Sequence, residues 1–212
     1  MRIALITENS QNAKNPMIEK ALRDVVEPLG HTVLNFGMYA EEGSAPLTYV
    51  QNGILAAVLL NGGAADYVVT GCGTGEGAML ALNSFPGVLC GHVEDPLDAY
   101  TFAQINDGNA VAIPFALKNG WGQELDLSYI FEKLFSFGSG NGYPAERVEP
   151  EQRNKRILDA VRANNFRPFP ELLDGIDRDL VRGALAGERF DELFFPNATD
   201  EAVVAKVREL RA

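Results

Sequence analysis

Apolar and polar positions fall into blocks along the chain, and the blocks alternate between two periods. Arg2–Thr7 is an apolar run of strand length, followed by a polar loop over Asn9–Asn15. Pro16 suits the first turn of a helix, in which Met17, Ala21, Leu22, Val25 and Val26 recur at helical spacing until Pro28 and Gly30 end it. His31–Phe36 predicts a second strand, Gly37–Pro46 a loop, and Leu47–Leu60 a strongly apolar helix closed by Gly62 and Gly63. Tyr67–Thr70 reads as a buried strand running into glycines at 71, 73, 75 and 77. A helix then opens at about Glu76 and carries Met79, Leu80 and Leu82 inward. Val88–Val93, Pro96–Asn106, Ala110–Ile113 and Trp121 to about Phe137 continue as strand, helix, strand and helix.

This alternation predicts an α/β fold of parallel βαβ units, with helices on both faces of a five-stranded sheet. Ligands of such sheets sit beyond the carboxyl ends of the strands, here Thr7–Asn9, Gly71–Gly77 and Val93–Asp95. From Gly138 the pattern changes. SGNGYP reads as a flexible connection, and helices are expected over Glu151–Asn164, Pro170–Leu185 and Thr199–Leu210, the last capped by Thr199. The division expected is therefore a core over residues 1–137 and a linker with helical extension over 138–212, packing on the core or on a neighbouring subunit.

Composition narrows the partners. With 212 residues, 46% of them hydrophobic, the chain can bury one full core. A formal charge of −11 argues against nucleic acid or an anionic membrane as a main partner. A phosphorylated substrate would need a local basic pocket against that field. No stretch reads as a signal peptide or approaches membrane-spanning length, and two cysteines cannot build a disulfide framework. A cytoplasmic protein is the expectation.

The candidate chemistry lies in the glycine-rich turn. Alternate glycines let the backbone bend sharply and approach a ligand closely. The free N–H groups of the following helix start make a site for an anion or a developing oxyanion. Into this turn the sequence places a thiol (Cys72), a hydroxyl (Thr74) and a carboxylate (Glu76). Cys72 stands at a strand's end beside a helix start that would favour a thiolate, whereas Cys90, inside its strand, reads as a buried filler. Glu76 is either an ordinary first-turn acid or a base tuned by partial burial. His31 and His92 fall in apparent strands and read as structural, which disfavours a Cys–His hydrolase. Gly73, Gly75 and Ala78 also satisfy a dinucleotide fingerprint, with Glu94 placed as a ribose-binding acid, but after the third strand instead of the first.

From TGCGTGEG through A-x-x-A-x-N-x-x-P-G to QINDGN, the sequence resembles the ribose-5-phosphate isomerase B / galactose-6-phosphate isomerase family. The resemblance covers residues 1 to about 150. It implies a flavodoxin-like, Rossmann-like three-layer sandwich and aldose–ketose isomerisation of a sugar or sugar phosphate through an enediol(ate), with no metal and no cofactor. It also implies a homodimer or homotetramer with sites shared between subunits. Cys72 would move the proton, and Thr74 with the N–H groups of Gly73, Gly75 and Gly77 would hold the oxyanion. Some members use a glutamate at the position of Glu76, so the base is either, with Cys72 preferred. Substrate contacts are implied for Glu8, Asn9, Asn83, Asn106 and Arg147.

The departures carry information. The family's Asp-His after the first strand is Glu8-Asn9 here, and its ring-opening histidine before Asn-Asp is Ile105. The arginine after the fifth strand is Ala116, with Lys118 nearby. Of the two phosphate-binding arginines near the late glycine turn, one position holds Tyr143 and the other Arg147. A substrate that cannot close into a ring needs no group to open one, so a short or open-chain sugar, with or without phosphate, is the expectation. Arg153 or Arg156 of the tail are candidates for replacement contacts. The other classes weighed are a non-catalytic sugar-phosphate binder and a nucleotide-dependent oxidoreductase.

Overall fold

The structure is a computed structural model and describes residues 1–39, 45–117 and 120–212. Lys118 and part of the loop expected over Gly37–Pro46 lie outside the described residues. Five strands, β1 (Arg2–Ile6), β2 (Thr32–Asn35), β3 (Tyr67–Cys72), β4 (Cys90–His92) and β5 (Ala110–Pro114), form one parallel sheet in the order β2-β1-β3-β5-β4. The chain runs from β1 outward to β2 and then crosses to β3 on the other side. The order therefore reverses between β1 and β3, the switch point at whose carboxyl ends folds of this kind bind ligands.

Helices α1 (Asn15–Val26), α2 (Tyr49–Asn61), α3 (Glu76–Asn83), α4 (Pro96–Thr101) and α5 (Gln123–Phe135) make the outer layers. Ile18, Leu22 and Val26 of α1 pack with Leu127, Ile130 and Phe131 of α5 against Ile3, Leu5 and Val69 on one face. On the other face α2 and α3 meet Ala4, Ile6 and Val68. Eight consecutive residues of α2, Asn52–Leu59, are buried, which explains why that helix is apolar all round: it is covered on both sides. Its start is a capping box, with Thr48 Oγ1 accepting from the Gln51 N–H at 3.3 Å.

Several boundaries differ from the periodicity. β3 continues through Gly71 and Cys72, because these pair with Ile113 and Pro114 of β5; Cys72 is the last residue of the strand, where the turn begins. Leu80, expected inward, is exposed; Ala78 and Leu82 form the buried stripe of α3. The helix expected over Pro96–Asn106 changes to a π-helical turn over Phe102–Asn106.

The tail contains α6 (Val148–Asn165), α7 (Phe169–Asp174), α8 (Arg178–Ala184), α9 (Phe190–Phe194) and α10 (Glu201–Arg211). Gly175 follows the end of α7, so the helix expected over Pro170–Leu185 is two. Phe169, Leu173, Val181, Phe190, Phe194, Val203 and Val207 join the same apolar cluster as α2. α6 differs: none of its residues is buried, and Ile157, Leu158 and Val161 are exposed. The cap of α10 is Asp200, whose side chain accepts from the Val203 N–H at 2.9 Å, and not Thr199. Thr199 instead donates its N–H to the Gly62 carbonyl at 2.8 Å, pinning the tail to the end of α2.

Candidate active site

The turn after β3 folds across the end of its neighbour β5. The Phe115 N–H donates to the Cys72 carbonyl and the Ala116 N–H to the Gly73 carbonyl, each at 3.0 Å. Gly75 takes φ 77°, in the left-handed region that favours glycine, and serves as the N-cap of α3. No side chain caps that helix, so the leading N–H groups remain open to a ligand at the positive end of the dipole. Cys72 is 8% exposed, a thiol largely withdrawn from solvent, whereas Thr74 and Glu76 are exposed. The partial burial expected to tune Glu76 is therefore absent. The ring of Tyr49 covers Gly77, where a Cβ would lie 3.2 Å from Cδ2.

β1 supplies the other wall. Ile6 pairs with Thr70, so Glu8 and Cys72 each stand two residues beyond the last paired position. Glu8 is 3% exposed; its Oε2 accepts the Ser10 N–H at 2.9 Å and its Oε1 accepts the Ser10 hydroxyl. Asn9 is exposed, and its N–H donates to the Leu47 carbonyl at 2.8 Å, tying the β1 loop to the start of α2. Below the turn, Asn52 Nδ2 donates to Thr70 Oγ1 at 3.0 Å in a fully buried pair.

Glu8, Asn9, Cys72, Gly73, Thr74, Gly75, Glu76 and Gly77 thus share one end of the sheet. Asn83, Asn106 and Arg147 do not join them within one chain. Helices that return along the sheet deliver their last residues to the amino ends of the strands. Asn83 accordingly bonds the backbone of Cys90, the first residue of β4. Asn106 is exposed just ahead of β5, and Arg147 is exposed at the end of a short 3-10 turn, Ala145–Arg147, in the segment that hydrogen-bonds the carbonyls of Ala103 and Gln104. Arg153 and Arg156 stand exposed on α6.

Two side chains not singled out as site residues reach this end of the sheet. His92, at the end of β4, places Nε2 2.7 Å from the Thr74 carbonyl oxygen. Lys14 donates to the Phe115 carbonyl, which also accepts from Gln123 Nε2 at 3.0 Å; burial holds the Lys14 ammonium below its ordinary pKa. For His92 the one available signal was its place near the end of a strand; Lys14, within the polar loop expected over Asn9–Asn15, carried none. His31 lies just ahead of β2, with Nδ1 3.2 Å from the N-terminal amine. Burial pushes the Cys90 thiol well above its ordinary pKa, consistent with an inert filler. Among the described residues no group of three or more His, Cys, Asp or Glu is arranged to hold a metal ion, and no helix is long and apolar enough to cross a membrane.

The fold is a doubly wound α/β sandwich with a thiol at the end of β3 and a glycine turn beside its switch point. Residues 3–131 match the Ribose/Galactose Isomerase family, and the chain belongs to that family. Residues 166–210 match a second family described as Ribose-5-phosphate isomerase. Among solved structures, a 4-deoxy-L-threo-5-hexosulose-uronate ketol-isomerase complexed with a tartrate is 51% identical with a TM-score of 0.97, covering 99% of each chain. A ribose-5-phosphate isomerase from Vibrio parahaemolyticus is 46% identical with a TM-score of 0.95, again over 99% of each chain. The type B ribose 5-phosphate isomerase of Leishmania infantum shares the fold at 18% identity and TM-score 0.63, covering 78% of this chain and 98% of that one. Comparison with curated proteins gives no match.

Proposed function

We propose that this isomerase moves a carbonyl between C1 and C2 of an open-chain sugar acid, the class to which the named substrate of its 51%-identical relative belongs. Ile105 carries this reading. Where the resembled family has the histidine that opens a sugar ring, an aliphatic side chain can neither give nor take a proton. A uronate held as an open chain needs neither. Its carboxylate also carries less charge than a phosphate ester, which fits Tyr143 standing where one of two arginines would be.

In this mechanism Cys72, as thiolate, removes the proton from C2, and electrons move onto the C1 carbonyl oxygen to form an enediolate. The N–H groups of Gly73, Gly75 and Gly77 and the Thr74 hydroxyl hold that oxyanion. The same thiol returns the proton to C1 while the hydroxyl proton moves from O2 to O1, leaving the ketose. Nothing is oxidised overall, so no cofactor or metal is assigned. Glu76, exposed at the turn, is the second candidate base; the place of Cys72 at the end of β3, close in the chain to the uncapped start of α3, favours the thiol. Glu8 and Asn9, just beyond the end of β1, are assigned to substrate hydroxyls. The apolar residues left exposed on α6 offer a face for a second copy of the chain, and the resemblance implies sites shared between subunits, so a homodimer or homotetramer is inferred, with Asn106 and Arg147 assigned to the partner copy's site. Two free, buried thiols fit a cytoplasmic setting.

The alternative substrate is ribose 5-phosphate, favoured by the name of the 46%-identical relative. NMR in deuterated water on both sugars decides. Ketose formation with deuterium entering C1 or C2 of the uronate alone supports the proposal. Turnover of ribose 5-phosphate alone overturns it, and binding without exchange makes the protein a sugar binder. Cys72→Ala is expected to abolish exchange and Glu76→Gln to keep it; the reverse makes Glu76 the base.

A further inference from the structure

We propose that His92 is a positioning residue of this site, acting on the substrate through the peptide that joins Thr74 to Gly75; the proposal rests on the isomerase reading above. β4 and β3 are not neighbours, since β5 lies between them. The imidazole must therefore reach over the end of β5 to meet the turn. It arrives with Nε2 2.7 Å from the Thr74 carbonyl oxygen. A carbonyl only accepts, so Nε2 carries the hydrogen whatever the protonation state of the ring. Nδ1 is turned to Glu94, 3.6 Å from Oε1.

The same ring explains a glycine. A Cβ on Gly75 would lie 2.7 Å from His92 Nε2 and 3.0 Å from the Ile113 carbonyl carbon. Gly75 is therefore required twice, for its left-handed φ and for the room the imidazole occupies.

The consequence lies in the peptide unit. The Thr74 carbonyl and the Gly75 N–H belong to one amide plane, so a donor on the oxygen both fixes that plane and draws electron density from the nitrogen. A polarised amide is a stronger donor, because chained hydrogen bonds reinforce one another. The Gly75 N–H is one of the donors assigned to the oxyanion. His92 thus aims and strengthens a group that matters most when charge develops, and its effect belongs on kcat more than on KM.

The test compares wild type with His92→Phe, which keeps a ring without the donor, and His92→Gln, whose amide can still donate to the carbonyl. Since loss of a whole oxyanion donor lowers kcat by about 100-fold or more, His92→Phe is expected to lower it roughly tenfold with KM little changed, and His92→Gln to recover most of the loss. A planar hydroxamate of the sugar acid, resembling the enediolate, should bind the phenylalanine variant more weakly, while the reduced, tetrahedral sugar acid binds it as before. Unchanged kcat in His92→Phe, or an equal loss of affinity for both ligands, overturns the role. If the phenylalanine variant does not fold, His92→Asn replaces it; its amide is too short to reach, so activity equal to that of His92→Gln is the overturning result. Inactivity of the wild type on every sugar would defeat the isomerase reading itself, whereas an active wild type with an unaffected variant defeats only this proposal.

Discussion

Asn83 closes a two-point bridge to the backbone of Cys90: its Nδ2 donates to the Cys90 carbonyl at 2.8 Å, and its Oδ1 accepts the Cys90 N–H at 3.0 Å. β4 is an edge strand, and the bridge occupies backbone groups that β5 does not use. Losing both bonds in Asn83→Ala is expected to cost about 2 kcal/mol of stability in chemical denaturation, with kcat and KM nearly unchanged. A raised KM at unchanged stability would instead make Asn83 a substrate contact.

The glycines of the turn are not equivalent. A Cβ on Gly71 would sit 2.1 Å from the Ile113 carbonyl oxygen and 2.6 Å from the Phe115 ring, whereas one on Gly73 meets only the Ala116 Cβ at 3.8 Å. Gly71→Ala is expected to lose about 3 kcal/mol or more, since strand pairing leaves no room to shift. Gly73→Ala should stay within about 1 kcal/mol of wild type in the same denaturation experiment.

Phe194 of α9 is fully buried and stacks on Phe190 with ring centroids 4.9 Å apart. Its truncation to alanine is expected to cost about 3–5 kcal/mol, because the cavity opens against the end of α2 and cannot collapse. Circular dichroism should show a single transition at a lower midpoint. Loss of the tail signal alone, with the sheet melting as before, would show that the tail folds separately.

The Arg2 guanidinium bonded to Asp66 holds that carboxyl below its ordinary 3.8, against the opposing pull of burial. A depressed folded pKa means that the unfolded chain takes up the proton first. The contribution is whole above about pH 4 and drains away as pH falls through the lower folded value. Asp66→Asn should flatten that acid limb of stability. His31 has the same sign in a higher window: burial, then the N-terminal amine, lowers its pKa, so stability is lost as pH falls below 6.5. Denaturation midpoints from pH 7 to 3, with Asp66→Asn and His31→Gln, separate the two; unchanged profiles would exclude both.

Much of this molecule was legible along the chain. A strand buried on both faces must read as an unbroken apolar run, and a helix on a sheet must repeat near 3.6, so all five strands and the flanking helices could be located. Cys72, Thr74 and Glu76 were legible as a group because five residues of chain hold them together. Errors arose where a distant contact outranks the local pattern. Leu80 was expected inward, yet α3 turns Ala81 against Gly53 of α2, where a Cβ on the glycine would touch the Ala81 backbone at 2.7 Å. The strand expected to end at Thr70 runs on through Gly71 and Cys72, because both pair with β5.

The sequence by itself determined the class of fold, the end of the sheet at which a ligand is expected, and the chemical groups carried in and beside the glycine turn. All three follow from short-range periodicity and backbone sterics. Only the tertiary structure decided that His92 braces Thr74 across 18 residues of chain, that Lys14 reaches Phe115 across 101, and that Asn83 serves the edge of the sheet. Those partnerships depend on the order of strands in the sheet, a global choice of packing that no local pattern of apolar and polar residues encodes.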